Sequence, residues 1–224
     1  RWKERAKSTV NRDMVPLRAA LGRVLTAGSP NTDAAWQEAL KPFKGADKRR
    51  ELYLDKGERK RLINTACEEV GPFLRALCLL PLRPGSLASL TARDFDERTR
   101  TLTIGKDKND SPRQIALPQI IADLLAAQVK GKLPTAPVFA RHSGDAWNKD
   151  TWKHPIKDAV RAANLPDAVS AYTLRHSVIT DLVRVRLPIL TVAQLSGTSV
   201  AMIEKHYGHL VRTDAEDALA TLVL

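Results

Sequence analysis

The 224-residue sequence lacks the features that define disulfide-rich, zinc-binding and membrane-spanning proteins. Its only two cysteines, Cys67 and Cys78, both have apolar neighbours in the sequence, and two cysteines do not make a disulfide scaffold. No cysteine–histidine cluster has zinc-ligand spacing, and no apolar run approaches the roughly 20 residues of a membrane span. The charged start, RWKERAKSTVNRD, is unlike a signal peptide. We therefore expect a reducing, cytoplasmic setting, and, since Arg1 replaces an initiator Met, a fragment of a longer protein.

Positive charge is what the sequence has in excess. It contains 36 Lys and Arg against 25 Asp and Glu, a formal net charge of +11, while 43% hydrophobic residues argue against disorder. Such a balance favours an anionic partner, most commonly nucleic acid. Residues 41–61 are especially basic, with nine Lys or Arg against four Asp or Glu. This segment is interpreted either as a solvated linker or as a strap that contacts phosphates.

Hydrophobic periodicity predicts a mainly α fold with a small antiparallel β-sheet, of the α+β class. Thr101–Ile104 and Arg113–Leu117 have β character, and the polar turn GKDKNDSP between them predicts a hairpin. The first helix contains Pro16, which predicts a kink or a later start. Helices are predicted over 8–25, 34–40, 55–80 with a break around Gly71-Pro72, 118–129 and 150–163, then from Thr173, Pro188 and Ser199, with a separate small amphipathic helix over 214–224.

Two arginines and a tyrosine stand at helix boundaries in apolar surroundings. Arg83 precedes Pro-Gly, Arg175 lies at a helix start in YTLRH, and Tyr207 lies near a helix end in KHYGH. An arginine in such a setting needs an anionic partner. Two arginines can hold one phosphate between them. The alternative is that each forms a structural ion pair with a carboxylate such as Asp94 or Asp181.

Several motifs in order resemble those of the tyrosine recombinases, in their phage-integrase branch. They are LCLLPLRPGSLASLTARDFD, KNDSPRQIAL, YTLRH, LSGTS and HYGHL. None is specific alone, and it is their order and separation that carry the resemblance. It implies a catalytic domain over residues 47–224. Residues 1–46 resemble the C-terminal part of a core-binding, DNA-clamping domain with its linker.

The resemblance implies a role for each matching residue. Arg83 and Arg175 hold the scissile phosphate and neutralise the charge that grows on its oxygens. Tyr207 attacks the phosphorus to form a 3′-phosphotyrosyl link, and Lys108 protonates the leaving 5′ oxygen, with Lys106 as the alternative hairpin lysine. Because the link conserves the bond energy, no metal, ATP or other cofactor is expected. The structural alternative for Tyr207 is a buried tyrosine bonded through its hydroxyl.

Three departures from the family pattern affect acid–base chemistry. Tyr172 stands where the family usually has His, Thr198 where it has His or Trp, and Ser86 where it has Glu. Tyr172 and Thr198 donate hydrogen bonds, but neither titrates near pH 7. Assistance of the kind that a histidine gives is worth ~10² to 10⁴ in rate.

Supporting roles are expected for two histidines. His176 matches the second histidine of the LRH motif and is expected to pack under the two arginines. His209, with His206, flanks Tyr207 at a place where the family often has a histidine.

The function that the resemblance implies is site-specific recombination of double-stranded DNA, by a tetramer on two duplexes and in a phage or prophage context. The apolar end LATLVL, after Asp214, is expected either to dock onto a neighbouring copy or to pack on its own domain. One alternative is a catalytically weakened DNA-binding remnant or regulator of the same fold. Another is a basic helical domain whose motifs are coincidental.

Overall fold

A computed structural model describes residues 5–24, 33–46, 52–105 and 112–220, without the side chains of 33–35 and 211–220. The described chain is mainly helical with one small sheet, as predicted. Its helices are α1 (Lys7–Val24), α2 (Asp33–Ala39), α3 (Lys56–Thr65), α4 (Gly71–Leu79), α5 (Pro84–Ala88), α6 (Gln119–Val129), α7 (Lys153–Ala162), α8 (Ala171–Arg184), α9 (Ile189–Ser196) and α10 (Val200–Ala220). Its strands are β1 (Phe95–Asp96), β2 (Thr101–Ile104) and β3 (Arg113–Ala116).

The chain divides into two compact units, residues 1–49 and 50–224. In the first unit, the Asn11 amide of α1 donates to the Phe43 carbonyl at 2.9 Å and accepts from the Phe43 amide at 2.8 Å. These two bonds tie the segment after α2 back to α1. Pro16 lies inside α1, which begins at Lys7, so the later helix start is wrong.

The second unit begins with a helix whose start is encoded locally. Asp55 accepts from the Glu58 amide at 2.7 Å, and Glu58 accepts from the Asp55 amide at 2.9 Å, forming a capping box before α3. The linker interpretation of residues 41–61 is therefore wrong from Lys56 onward. Arg59 and Leu62 of this helix are buried, because one face of a helix that packs on a core leaves solvent whatever its overall charge.

The break in the predicted 55–80 stretch precedes Gly71-Pro72. The helix α4 begins at Gly71 with Pro72 in its first turn, where a missing amide proton costs no helical bond. Cys78 is buried in this helix, and burial raises the pKa of its thiol to about 12. Cys67 is exposed, in contrast to the apolar setting expected for it.

The sheet is antiparallel in the order β1–β2–β3. Phe95 pairs with Leu102, and Leu102 pairs with Ile115, so these buried side chains line one face. This confirms the predicted hairpin, whose turn at 106–111 lies outside the described residues.

Buried side chains of the second unit form two hydrophobic clusters. The main core runs from Leu54 to Leu174 and draws on α3 to α8 and the sheet. Helix α8 continues from this core into the second cluster, which we call the small cluster. Its buried members among the described side chains are Ile179, Val183, Val192, Ala193, Ile203 and Tyr207.

The last helix corrects two expectations. Val200–Ala220 is one continuous helix, so the separate helix from Asp214 is wrong, and Tyr207 lies in its interior rather than near its end. An interior glycine such as Gly208 costs only ~1 kcal/mol relative to alanine and does not by itself end a helix. The expected docking of the LATLVL end falls outside the described side chains. Within the described ranges, no helix is both long and apolar enough to cross a membrane.

Candidate active site

Arg83 stands at the point where the chain turns from α4 into α5. Its backbone is extended (φ −64°, ψ 138°), the conformation favoured before a proline, and Pro84 begins α5. Leu82 and Pro84 on either side are buried, whereas Arg83 is half-buried. The flanking apolar residues therefore anchor this turn and leave the arginine at the surface of the core.

Arg175, in contrast, is only 9% exposed and projects from α8. Its Nη1 donates to the carbonyl oxygens of Pro81 and Ser196, the latter at 2.9 Å. Pro81 lies two residues before Arg83, and Ser196 lies two residues before Thr198. The Arg175 guanidinium thus joins the two turns that carry the other predicted phosphate-contacting residues.

The turn that carries Thr198 is shaped by a glycine. Gly197 ends α9 in the left-handed conformation (φ 65°, ψ 49°), which glycine adopts without strain. The Thr198 amide then donates back to the Ala193 carbonyl at 3.0 Å. The half-buried Thr198 is held at this turn, on the C-terminal side of the carbonyl that Arg175 binds.

Tyr207 reaches α8 from α10. Its hydroxyl lies 3.0 Å from Nδ1 of His176, and the two rings stack with centroids 5.2 Å apart and an interplanar angle of 29°. His176 follows Arg175 directly, so the predicted nucleophile contacts α8 at the residue next to the buried arginine. Tyr207 is 7% exposed. This burial is also what we expect of a purely structural tyrosine bonded through its hydroxyl. The bonding partner of the hydroxyl, however, is the imidazole of the residue next to Arg175.

The remaining predicted residues are distributed around this point. Tyr172 is 46% exposed in the first turn of α8 and lies three residues before Arg175, on the same side of the helix. His209 is exposed and lies two residues after Tyr207, about 200° around α10. Lys106 and Lys108 lie outside the described residues, in the hairpin turn.

The carboxylates proposed as ion-pair partners of the two arginines make other contacts. Asp94 accepts from the Thr91 amide and hydroxyl, both at 2.7 Å. Asp181 accepts from the Tyr53 hydroxyl at 2.8 Å and forms an ion pair with Arg59. The sequence did not predict this Tyr53–Asp181–Arg59 network, because periodicity carries no information about pairs more than 100 residues apart.

These contacts hold residues 53–59, at the start of the second unit, against α4 and α8. Arg59 also donates to the Cys78 carbonyl at 3.2 Å, and the Leu54 amide donates to the Ser177 hydroxyl at 2.9 Å. The Arg184 guanidinium lies 4.4 Å from the centroid of the Tyr53 ring. Burial and the bond to Asp181 raise the pKa of Tyr53 above its ordinary value.

The arrangement suits the binding of an anion beside a phenol. Arginine offers planar donors that match phosphate oxygens, and the stacked imidazole offers a proton acceptor or donor. Over residues 5–24, 33–46, 52–105 and 112–220, no three His, Cys, Asp or Glu side chains gather as metal ligands would.

Comparisons with known proteins agree on one family. Residues 53–213 match the Phage integrase family. The chain is 26% identical over 141 residues to a tyrosine recombinase of Thermosipho africanus strain TCF52B, covering 63% of this chain and 50% of that protein. The chain thus spans half the length of this curated relative.

Solved structures share the fold at low identity. The Tn1549 transposon integrase in complex with transposon right-end DNA gives a TM-score of 0.79 at 16% identity, covering 98% of this chain and 81% of that one. The XerA recombinase gives 0.62 at 18% identity, covering 96% and 84%. The catalytic domain of bacteriophage HP1 integrase gives 0.57 at 18% identity, covering 76% and 95%.

Proposed function

The chain belongs to the phage integrase family, and from this premise we propose that it is a tyrosine-type site-specific DNA recombinase. It cuts and rejoins double-stranded DNA through a 3′-phosphotyrosyl intermediate. The observation that carries the proposal is the contact of Tyr207 with His176, the residue that directly follows Arg175 on α8. The Tyr207 hydroxyl contacts His176, and the neighbouring Arg175 guanidinium bridges the turns beside Arg83 and Thr198.

The proposed chemistry assigns the phosphate to the arginines. Arg83 and Arg175 bind the non-bridging oxygens, and preorganised donors of this kind stabilise the charge that develops in the transition state. The Tyr207 oxygen forms a bond to phosphorus while the bond to the 5′ oxygen breaks. Lys108, or Lys106 in its place, supplies the proton to that 5′ oxygen. Religation reverses these steps and needs no external energy source or metal.

Hydroxyl groups take the positions of the family's usual imidazoles in this proposal. Tyr172 and Thr198 donate hydrogen bonds to phosphate oxygens without exchanging a proton near neutral pH. His176 and His209 are supporting residues. The two arginines proposed to bind the phosphate, which we call the clamp, and the proposed nucleophile Tyr207 are therefore all present. Proton transfer is the step that the substitutions at positions 172 and 198 weaken.

The same proposal covers domains and partners. Residues 47–224 form the catalytic domain, and residues 1–46 form the C-terminal part of a core-binding domain with its linker. The partner is duplex DNA, bound by a tetramer of this chain. The net charge of +11 supports the DNA assignment.

Covalent trapping tests the proposed function. The protein is incubated with supercoiled plasmid carrying candidate attachment DNA and quenched with detergent, and protein-linked and relaxed DNA are measured. We expect an adduct from the parent and none from Tyr207→Phe. Tyr53→Phe is the matched control, because it removes a hydroxyl outside the site and should retain the adduct.

Two other outcomes would contradict the proposed function. Adduct from Tyr207→Phe would place the nucleophile at another residue. Absence of adduct from every variant, with salt-sensitive DNA binding intact, would favour the DNA-binding regulator of the same fold.

A further inference from the structure

The contact between His176 and Tyr207 joins two residues 31 positions apart from different helices. Tyr207 is 7% exposed and His176 is half-buried, so the protein covers most of the surface of both side chains. A phenol ordinarily has a pKa of about 10 and must lose its proton to attack phosphorus. In a site shielded from water, that proton needs an acceptor within hydrogen-bond distance. Nδ1 of His176, 3.0 Å from the hydroxyl, meets this requirement.

We propose that His176 is a catalytic residue that accepts the Tyr207 proton at Nδ1 during DNA cleavage. This inference rests on the proposed function and deepens it. With the imidazole in its Nε2–H form, the Tyr207 hydroxyl donates to Nδ1. As the Tyr207 oxygen bonds to phosphorus, its proton moves to Nδ1 and the imidazole becomes a cation. The electron pair of the breaking bond leaves with the 5′ oxygen, which takes a proton from the hairpin lysine.

Religation returns the proton. The 5′ hydroxyl attacks the phosphotyrosyl phosphorus and gives up its proton to the lysine, and the Tyr207 oxygen leaves and recovers its proton from His176. Cleavage followed by religation therefore returns every proton to the group that it came from. The ring stacking, at 29° between planes, keeps the imidazole nitrogen beside the phenol oxygen.

Other histidines are less well placed for this role. His206 and His209 lie on the same helix as Tyr207 and project about 100° and 200° away from it. His142 and His154 are exposed outside α8, α9 and α10. Position 172, where the family usually has a histidine, is a tyrosine in this chain.

Helix α8 and the helices that pack against it carry several ionisable or charged groups that bear on any pH dependence. On α8 these are Tyr172, Arg175 and Asp181, and Arg83 precedes α5. Helix α10 contributes Tyr207, His206 and His209 with the exposed Glu204 and Lys205, and α4 contributes an exposed Arg75, while α9 has no charged residue. Of these, the imidazoles are the groups that ordinarily titrate between pH 5 and 8.

The test measures single-turnover adduct formation on DNA that the parent cleaves. His176→Asn places an amide near the position of Nδ1, which can hold the hydrogen bond but not a proton. We expect the rate at neutral pH to fall ~10² to 10⁴-fold. Replacing Tyr207 by a trifluorotyrosine, whose phenol loses its proton more readily, should restore the rate of His176→Asn at least tenfold. His154→Asn is the control and should cleave like the parent.

The outcomes separate this inference from the proposed function. Adduct formation by His176→Asn at the parent rate, or no recovery with the fluorinated phenol, would overturn the role of His176. Adduct formation by Tyr207→Phe would instead overturn the proposed function. If His176→Asn does not fold, the role of His176 is tested instead by the pH dependence of the rate when Tyr207 alone is replaced by trifluorotyrosine. Because an imidazole ordinarily loses its proton between pH 5 and 8, the rate with the unmodified Tyr207 should rise over this range. The fluorinated phenol should flatten that rise, and an unchanged rise would contradict the proposal.

Discussion

The main core and the small cluster support different parts of the candidate site. Arg175 follows Leu174, which is fully buried in the main core, and its guanidinium binds the Pro81 carbonyl between two buried leucines. Tyr207 is itself a member of the small cluster, where five other described side chains are buried with it. Arg175, which we propose binds phosphate, is thus attached to the larger apolar assembly. Tyr207, the proposed nucleophile, belongs to the small cluster, which has fewer buried members among the described residues.

The difference has an energetic meaning. Each Å² of buried apolar surface contributes ~25 cal/mol, so a small cluster opens locally at a lower free energy than a large core. Helix α8 carries both Arg175 and His176 and extends into both assemblies. We therefore expect the clamp to persist under perturbations that displace Tyr207, so that DNA binding and DNA cleavage respond differently to mutation.

Paired cavity variants test this difference most strongly. Leu77→Ala empties a site in the main core, and Ile203→Ala empties one in the small cluster, where the two side chains are 0% and 1% exposed. Leu77→Ala should lower the free energy of global unfolding by ~2–5 kcal/mol. Ile203→Ala should chiefly increase hydrogen exchange in α10 and reduce adduct formation while DNA binding is retained. Denaturant unfolding, hydrogen exchange and trapping measure these effects.

Equal losses in both variants would contradict the comparison. If Ile203→Ala and Leu77→Ala reduce DNA binding and adduct formation in parallel, with one coincident unfolding transition, the two clusters behave as a single cooperative unit. The tyrosine would then be as firmly held as the clamp.

The ion pair between Asp181 and Arg59 tests the connection between the clusters. Asp181 lies between Ile179 and Val183 of the small cluster, whereas Arg59 belongs to a helix of the main core. Their side chains are 22% and 8% exposed. Asp181→Asn leaves the Arg59 guanidinium buried without its anion, and we expect a loss of ~1–3 kcal/mol, below the range for fully buried pairs because Asp181 is partly solvated.

An exposed carboxylate provides the control for this variant. Asp158 lies 3.6 Å from Arg161, with side chains 73% and 69% exposed. Asp158→Asn should change the free energy of unfolding by less than ~0.5 kcal/mol. An equally small effect of Asp181→Asn in denaturant unfolding would show that the pair does not connect the two clusters energetically.

Much of the local structure was predictable because its causes are local. Pro188 marks a helix start, and alternating apolar residues on either side of a polar turn predict the hairpin. The order of the motifs predicted the family. The continuity of α10 was missed because Gly208 was weighed as a boundary without the helix formers around it.

Contacts between distant residues were not predictable in the same way. The partners of Asp181 and the carbonyls bound by Arg175 depend on how helices pack, which one sequence does not specify. His176 was expected only to support the arginines, and its contact with Tyr207 required the relative placement of α8 and α10. The roles of the site residues, including Lys106 and Lys108, stay predictions.

The smallest expected effect concerns Tyr53, which bonds to Asp181 from the main-core side. Tyr53→Phe removes this hydrogen bond but keeps a ring for Arg184, so the free energy of unfolding at pH 7 should fall by ~0.5–1.5 kcal/mol. Because burial and the bond to Asp181 raise the pKa of Tyr53 in the folded state, this phenol keeps its proton at pH values where the unfolded chain loses it.

Its stabilising contribution is therefore complete below a pH of about 10 and declines as the pH rises through the raised value. Denaturant unfolding of parent and Tyr53→Phe between pH 7 and 11 measures this as a difference, which cancels the other titrating groups. We expect the advantage of the parent to shrink above pH 10. A difference that stays constant to pH 11 would mean that folding does not raise the pKa of Tyr53, and that its bond to Asp181 does not restrain the phenol proton.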